Sequence, residues 1–286
     1  MTIKMIVTDL DGTLLNSANT ISDKNIQAFK IAKNHGVIPV VATGRIENEA
    51  LIFAQAIGAG DYVISGNGGV VKDHINKKMV HEVDMDKKVI HEFLELFDTY
   101  DEVYCQAHTT LGCVCTEKTF PWMDNAGWAK AYVDEYKHQQ IVVKDIEDFV
   151  TEKNLGISKF VLSSANEPNL KDIMEKAGKI NGIVLLRPMV FCIECIPIGV
   201  NKGLGIIKLC DYLGIELKEV MVIGDSDNDQ EMFEIAGPVK VAMGNANSRI
   251  KELATYVVSS NDEDGVAEAI EEFVIKGINQ KKAGLK

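Results

Sequence analysis

The sequence predicts an α/β protein: a doubly wound parallel sheet, with helices on both faces, interrupted by an inserted α/β domain. Three observations carry that prediction. Short apolar runs rich in β-branched residues alternate with helix-period segments up to about residue 83, the pattern changes beyond it, and the first pattern resumes after Pro197.

The elements follow in order. Ile3 to Thr8 reads as a buried parallel strand ending at Asp9, with Gly12 supplying a sharp turn. Ser22 is the expected N-cap of a helix with Ile26, Phe29 and Ala32 on one face and Gly36 at its end. Val37 to Ala42 is a second strand, followed by Thr43-Gly44-Arg45 and a helix to about Ile57. Tyr62 to Ser65 is a third strand, running into Gly66-Asn67-Gly68-Gly69, and Val70 to Val83 reads as a hairpin. From Asp84 to about Pro188, helical segments (Lys88 to Thr99, Trp128 to His138, Leu170 to Lys179) interleave with strands (Val103 to Ala107, Lys159 to Ser163, Ile183 to Leu186). The closing portion holds a helix from Lys202 to Leu213, a strand Val220 to Ile223, a helix from about Asp229, a strand Val239 to Ala242 and a helix Gly265 to Ile275. The basic end, Gln280 to Lys286, is expected to fray. The simplest topology is a core of residues 1–83 and 190–286 with residues 84–189 inserted as a second domain.

Composition agrees with two domains and narrows the partners. The chain has 286 residues, 46% of them hydrophobic, and its net charge of -12 comes from 42 acidic against 30 basic side chains. Such a surface repels polyanions, so no nucleic-acid partner is expected, although a metal ion can reverse the field locally and admit a phosphorylated ligand. No apolar stretch approaches the roughly 18 residues a bilayer span needs, and Met1 to Leu10 lacks a signal-peptide layout. A cytoplasmic protein without membrane contact is expected. Six cysteines then read as reduced thiols, and Cys192 and Cys195, three apart in a strand, point to opposite faces and make no metal or redox motif.

Four motifs carry chemistry. Asp9-Leu10-Asp11-Gly12-Thr13 places two carboxylates two residues apart where a buried strand ends, the edge at which doubly wound sheets bind ligands. One can attack phosphorus covalently while the other serves the leaving group and the water as acid and base. A calcium loop would continue with alternating oxygen ligands, where Leu14 and Leu15 stand instead. Gly224-Asp225-Ser226-Asp227-Asn228-Asp229 follows another apolar strand and brings further carboxylates to the same edge, a set of hard oxygen donors that favours magnesium. Thr43, with Gly44, and Lys202, at the start of a helix, supply the hydroxyl, backbone donor and cation that a phosphoryl group requires.

These motifs, in this order, resemble those of the haloacid-dehalogenase-like phosphatases, specifically the Cof-type branch with a large α/β cap inserted in a Rossmann-like core. Ser65-Gly66-Asn67-Gly68-Gly69 matches that branch's Asn-Gly signature after the third strand, with Gly69 where alanine is commoner. The resemblance spans essentially the whole chain. It implies Asp9 as nucleophile and metal ligand, Asp11 as general acid/base and as ligand through its backbone carbonyl, and Asp225 as a further ligand, with Asp229 supporting the magnesium shell or Lys202. Thr43 and Lys202 would hold the transferring phosphoryl group, with Gly44, Arg45, Asn67, Gly68 and Asn228 lining the substrate side. The implied reaction is Mg2+-dependent hydrolysis of a small phosphorylated metabolite, a sugar phosphate first, by a monomer or homodimer.

Three other readings compete. A phosphomutase shares the first chemical step. A receiver-type signalling domain ends its middle strand in the reactive aspartate, whereas the third strand here ends in Ser65-Gly66-Asn67 and the inserted domain has no place. A sugar-phosphate sensor would not need the second carboxylate, Asp11. In the inserted domain Tyr104, His108, Trp122, Trp128 and Arg187 are candidates for substrate contact.

Overall fold

The structure is a computed structural model describing residues 2–276. The expected frayed end, Gln280 to Lys286, lies outside the described residues. The chain divides into two compact units, one built from Met1–Glu82 and Asn201–Lys286, the other from Val83–Val200.

The first unit is built on an eight-stranded sheet. Its strands are β1 (Met5–Thr8), β2 (Ile38–Ala42), β3 (Tyr62–Ser65), β4 (Val70–Asp73) and β5 (Lys78–Glu82) from the first segment. The second unit holds β6 (Tyr104–Thr109), β7 (Gly112–Thr116), β8 (Ile141–Val143), β9 (Lys159–Ser163), β10 (Ile183–Met189) and β11 (Cys192–Pro197). Returning to the first unit, β12 (Val220–Gly224), β13 (Val239–Ala242) and β14 (Tyr256–Val257) complete the sheet in the order β14-β13-β12-β1-β2-β3-β4-β5. From β14 to β3 every pairing is parallel, and the β3/β4 and β4/β5 pairings are antiparallel. The central strands β1 and β12 are buried at every position, as strands covered by helices on both faces must be.

Local chemistry agrees with this layout. Ser22 caps the helix Asp23–Asn34, its side chain accepting from the Asn25 N–H, and Phe29 and Ala32 turn into the core. Asn201 caps Lys202–Leu213 in the same way through the Leu204 N–H, and Gly214 ends that helix in a left-handed conformation. The expected final helix is α-helical over Gly265–Ile270 and widens to a π-helical turn over Glu271–Ile275.

The second unit is a six-stranded sheet in the order β10-β11-β9-β6-β7-β8, all antiparallel except β7 with β8. Strand β11 lies beyond the expected boundary at residues 189/190, yet it pairs with β9 and β10, so its ladder keeps the chain in this unit as far as Val200. Strands β7 and β8 and the helix Ile146–Glu152 stand in addition to the elements expected for this unit. The expected helix Trp128 to His138 shortens to Lys130–Tyr136 with a 3-10 turn after it.

Ile90, Phe93, Phe160, Leu162, Ile193 and Cys195 form this unit's main core. Tyr104, Cys115, Met123 and Val133, with Trp122 and Trp128 packed beside them, form a satellite cluster. All six cysteines are free and buried, and burial pushes the Cys192 and Cys195 thiols up to about 12, which leaves them inert at neutral pH. No helix among the described residues is long and apolar enough to cross a membrane.

Candidate active site

Parallel pairing brings the motifs to one edge of the first unit's sheet. Thr8 lies opposite Ile223 on one side and Val41 on the other, so Asp9, Asp225 and Thr43 each emerge just past the carboxyl end of neighbouring strands. The Asp9 N–H extends the ladder, donating to the Ile223 carbonyl at 3.0 Å.

At the centre lies Lys202, fully buried between two carboxylates: its Nζ is 2.6 Å from Asp9 Oδ1 and 2.6 Å from Asp229 Oδ1. Burial alone would lower the pKa of the ammonium, but Asp229 and Asp9 outweigh that and raise it above its ordinary range. For Asp9 burial comes first and raises its pKa; repulsion from Asp229 adds to the rise, and Lys202 opposes it. Asp225 is pushed up to about 6, by burial first, with the Thr13 hydroxyl opposing at 2.7 Å. Three carboxyl groups thus share one ammonium, and the upward shifts of Asp9 and Asp225 express the cost of ionising them in a desolvated site without a further cation.

That imbalance tests for a cation. Asp9, Asp225 and Asp229 each offer a carboxylate oxygen, all within 4.8 Å of one another. Asp229 is the most heavily engaged: Oδ1 takes Lys202, and Oδ2 accepts the N–H groups of Asp225 and Ser226 at 2.8 and 3.1 Å. Asp9 and Asp225 each keep one carboxylate oxygen without a hydrogen bond to any described residue. Two such carboxylates, with oxygen donors only, fit magnesium, which binds through one or two carboxylates and keeps several waters.

The other expected residues fall around this centre. The Asp11 side chain stands outside the carboxylate cluster and receives both arms of the Arg45 guanidinium, Nε to Oδ2 at 2.9 Å and Nη2 to Oδ1 at 2.6 Å. Arg45 also stacks over the Phe53 ring with its centroid 4.9 Å away. The Thr43 hydroxyl accepts the Arg45 N–H at 3.2 Å, and the Thr43 carbonyl accepts from Asn67, whose backbone is left-handed at φ 55°. A Cβ on Gly44 would lie 2.8 Å from Asn67 Oδ1, so the two loops are in contact.

Two glycines are required by close approach. At Gly12, with φ +81°, a Cβ would stand 2.5 Å from Asp225 Oδ2, and at Gly68, with φ +94°, one would meet the Asn201 carbonyl at 2.0 Å. Asn228 is exposed, its side chain accepting from the Ser226 hydroxyl, and so stays apart from the buried centre. Thr13 and Asn245 contact the site loops and were missed in the sequence. Asn245 follows β13, another parallel strand ending on this edge, and that position was the available signal.

Comparison with known proteins agrees with this geometry. A sequence model of haloacid dehalogenase-like hydrolases matches residues 6–270. Similar proteins include 5-amino-6-(5-phospho-D-ribitylamino)uracil phosphatase YwtE of Bacillus subtilis strain 168, 30% identical over 95% of this chain and 98% of the relative. A phosphoglycolate phosphatase of Methanobrevibacter smithii is 28% identical, over 96% of this chain and 100% of its own. Among solved structures, a haloacid dehalogenase-like hydrolase from Bacteroides thetaiotaomicron superposes with a TM-score of 0.80 at 29% identity, covering 95% of this chain and 99% of that one. With its motifs in order along one sheet edge and a family match over nearly its whole length, the chain belongs to the haloacid dehalogenase-like hydrolase family, in its Cof-type branch.

Proposed function

We propose that the chain is a magnesium-dependent phosphatase that hydrolyses the phosphate ester of a small metabolite through an aspartyl phosphate on Asp9. The observation that carries this reading is the desolvated Asp9 carboxylate, ion-paired to Lys202 at the carboxyl end of β1, in a site with surplus negative charge. Relatives named as phosphatases support it.

In the proposed sequence an Asp9 oxygen attacks phosphorus as the ester P–O bond breaks, and the Asp11 carboxyl, released from its fork with Arg45 and protonated when substrate binds, gives its proton to the leaving oxygen. Asp11 then takes a proton from water as that water attacks the phosphorus, releasing inorganic phosphate and restoring the Asp9 carboxylate. Lys202 and Thr43 hold the phosphoryl oxygens, and Asp229 keeps Lys202 charged and in place. Magnesium, held by Asp9, Asp225 and the Asp11 carbonyl, would neutralise the repulsion between carboxylate and phosphate. Arg45, Gly44, Asn67, Gly68 and Asn228 are assigned to the substrate side. The inserted unit is assigned the selection of the leaving group, as a cap.

Sugar phosphates are the first substrates to try, followed by 2-phosphoglycolate and 5-amino-6-(5-phospho-D-ribitylamino)uracil, after the names of the relatives. Phosphate release from such a panel is measured with magnesium or with chelator, and with Asp9→Asn. The expected result is release that needs magnesium and falls more than about 10⁴-fold in the variant, the scale seen when a covalent nucleophile is removed. Release that survives in Asp9→Asn, or isomerised sugar phosphate in place of inorganic phosphate, would sink the reading.

A further inference from the structure

The segment after β13 touches both aspartate loops at once. Its backbone continues the β12 ladder, with the Met243 N–H donating to the Gly224 carbonyl at 3.1 Å and the Asn247 N–H to the Asp225 carbonyl at 3.0 Å. Asn247 Nδ2 donates to Asp227 Oδ1 at 2.8 Å, and its Oδ1 accepts from Ile250 N at 2.9 Å as cap of the helix Ser248–Leu253. On the other side Asn245 Nδ2 donates to the Gly12 carbonyl at 2.8 Å. Asn245 is itself held, because its Oδ1 accepts the Asn261 N–H at 3.0 Å, and Asn261 Nδ2 donates onward to the Leu15 carbonyl at 2.9 Å.

We propose that Met243–Asn247 is a brace that sets the separation of the Asp9–Thr13 and Asp225–Asp229 loops, with Asn245 as a positioning residue for cation binding. The inference rests on the function proposed above. Asn245 reaches no reacting group; it acts through the Gly12 peptide. At Gly12 the two loops approach closely, since even a methyl group there would strike the Asp225 carboxylate, and the next residue, Thr13, donates its hydroxyl to Asp225 at 2.7 Å. The hydrogen bond to its carbonyl therefore acts where a small rotation would change how Asp9, the Asp11 carbonyl and Asp225 converge. Two carboxylates that repel one another need such a constraint, because without a cation nothing in their own interaction keeps them close.

The test uses the full chain. Magnesium binding is measured by calorimetric titration of the resting protein, alongside kcat, KM and the magnesium concentration for half-maximal phosphate release. Asn245→Ala removes the Gly12 contact, together with the Asn261 contact that holds Asn245, from an exposed position, and is expected to fold with a thermal midpoint within about 4 °C of the parent. It should bind magnesium about two- to tenfold more weakly, the effect of one lost hydrogen bond. Half-saturation should rise by the same factor, with KM within about twofold at saturating metal. The control is Asn169→Ala, which removes a comparable exposed bond from a side-chain amide to a backbone carbonyl, that of Asp101, in the inserted unit, and should bind magnesium like the parent. Parental affinity in Asn245→Ala, or equal losses in both variants, overturns the brace while leaving the site reading intact. A parent protein that binds no magnesium overturns both.

Discussion

Each unit of the molecule buries a lysine, and the two burials differ in their charge balance. In the inserted unit Lys159 is 2% exposed and pairs with Glu194 at 2.6 Å, beside His108. Burial first, then Lys159, lowers the pKa of His108 well below the usual imidazole range, so that ring is neutral. In the core Lys202 is fully buried against Asp9 and Asp229, with Asp225 close by, so acids outnumber the ammonium. The lesson is that a buried ion pair by itself says little, because balanced pairs occur in any fold. A desolvated surplus of one sign is different: folding alone gains nothing from it, and it marks the place where a ligand of the opposite sign belongs.

The comparison is sharpened first by removing each lysine. Lys202→Met leaves two buried carboxylates facing one another and should cost about 3–5 kcal/mol, whereas Lys159→Met, leaving the partly exposed Glu194, should cost about 1–3 kcal/mol. Denaturant titration separates the units, because both tryptophans, Trp122 and Trp128, lie in the inserted one and their fluorescence reports it alone, while circular dichroism follows both. Equal costs would remove the distinction.

A second, smaller effect concerns the fork between Arg45 and Asp11. Arg45→Ala should lower kcat/KM about 10- to 100-fold, with Arg45→Lys restoring less than half of the loss in free energy, because a lysine cannot reproduce a two-armed contact. Full recovery in Arg45→Lys would show that charge alone matters there.

The smallest effect is a pH dependence in the inserted unit. His108 has a folded pKa below its unfolded value, so the unfolded state binds more protons, and the stability it contributes is present above about pH 6.5 and lost as the pH falls below that. Tryptophan-monitored stability should fall by at most about 1.4 kcal/mol per pH unit from this group, and the slope should flatten in His108→Gln. An identical slope in the variant would mean that His108 does not carry it.

Most of the core was readable along the chain, and less of the inserted unit. Strands such as Val239–Ala242 and the helix Lys202–Leu213 stand where apolar runs and caps put them, since buried parallel strands are continuous apolar stretches. β8 escaped notice because three residues at the edge of a sheet carry no periodicity, and β11 was assigned to the wrong side of the boundary because only its partners decide which sheet it joins. Tyr104 and His108, expected as substrate contacts, are nearly fully buried, and both hydrogen-bond to Gln106, the tyrosine hydroxyl also to Gln140.

The sequence by itself determined the chemistry available: which strand ends carry carboxylates, a threonine and a lysine, in an order that identifies the family. Those are properties of residue type and spacing, and they survive without coordinates. Tertiary structure decided how the groups are shared out: that Asp229 is engaged by Lys202 and two backbone donors, that Asp11 turns to Arg45, and that Asn245 reaches Gly12 across the sheet edge. These depend on the parallel pairing of strands more than 200 residues apart, Met5 beside Val220, and on burial, which strengthens each charge the chain leaves unbalanced.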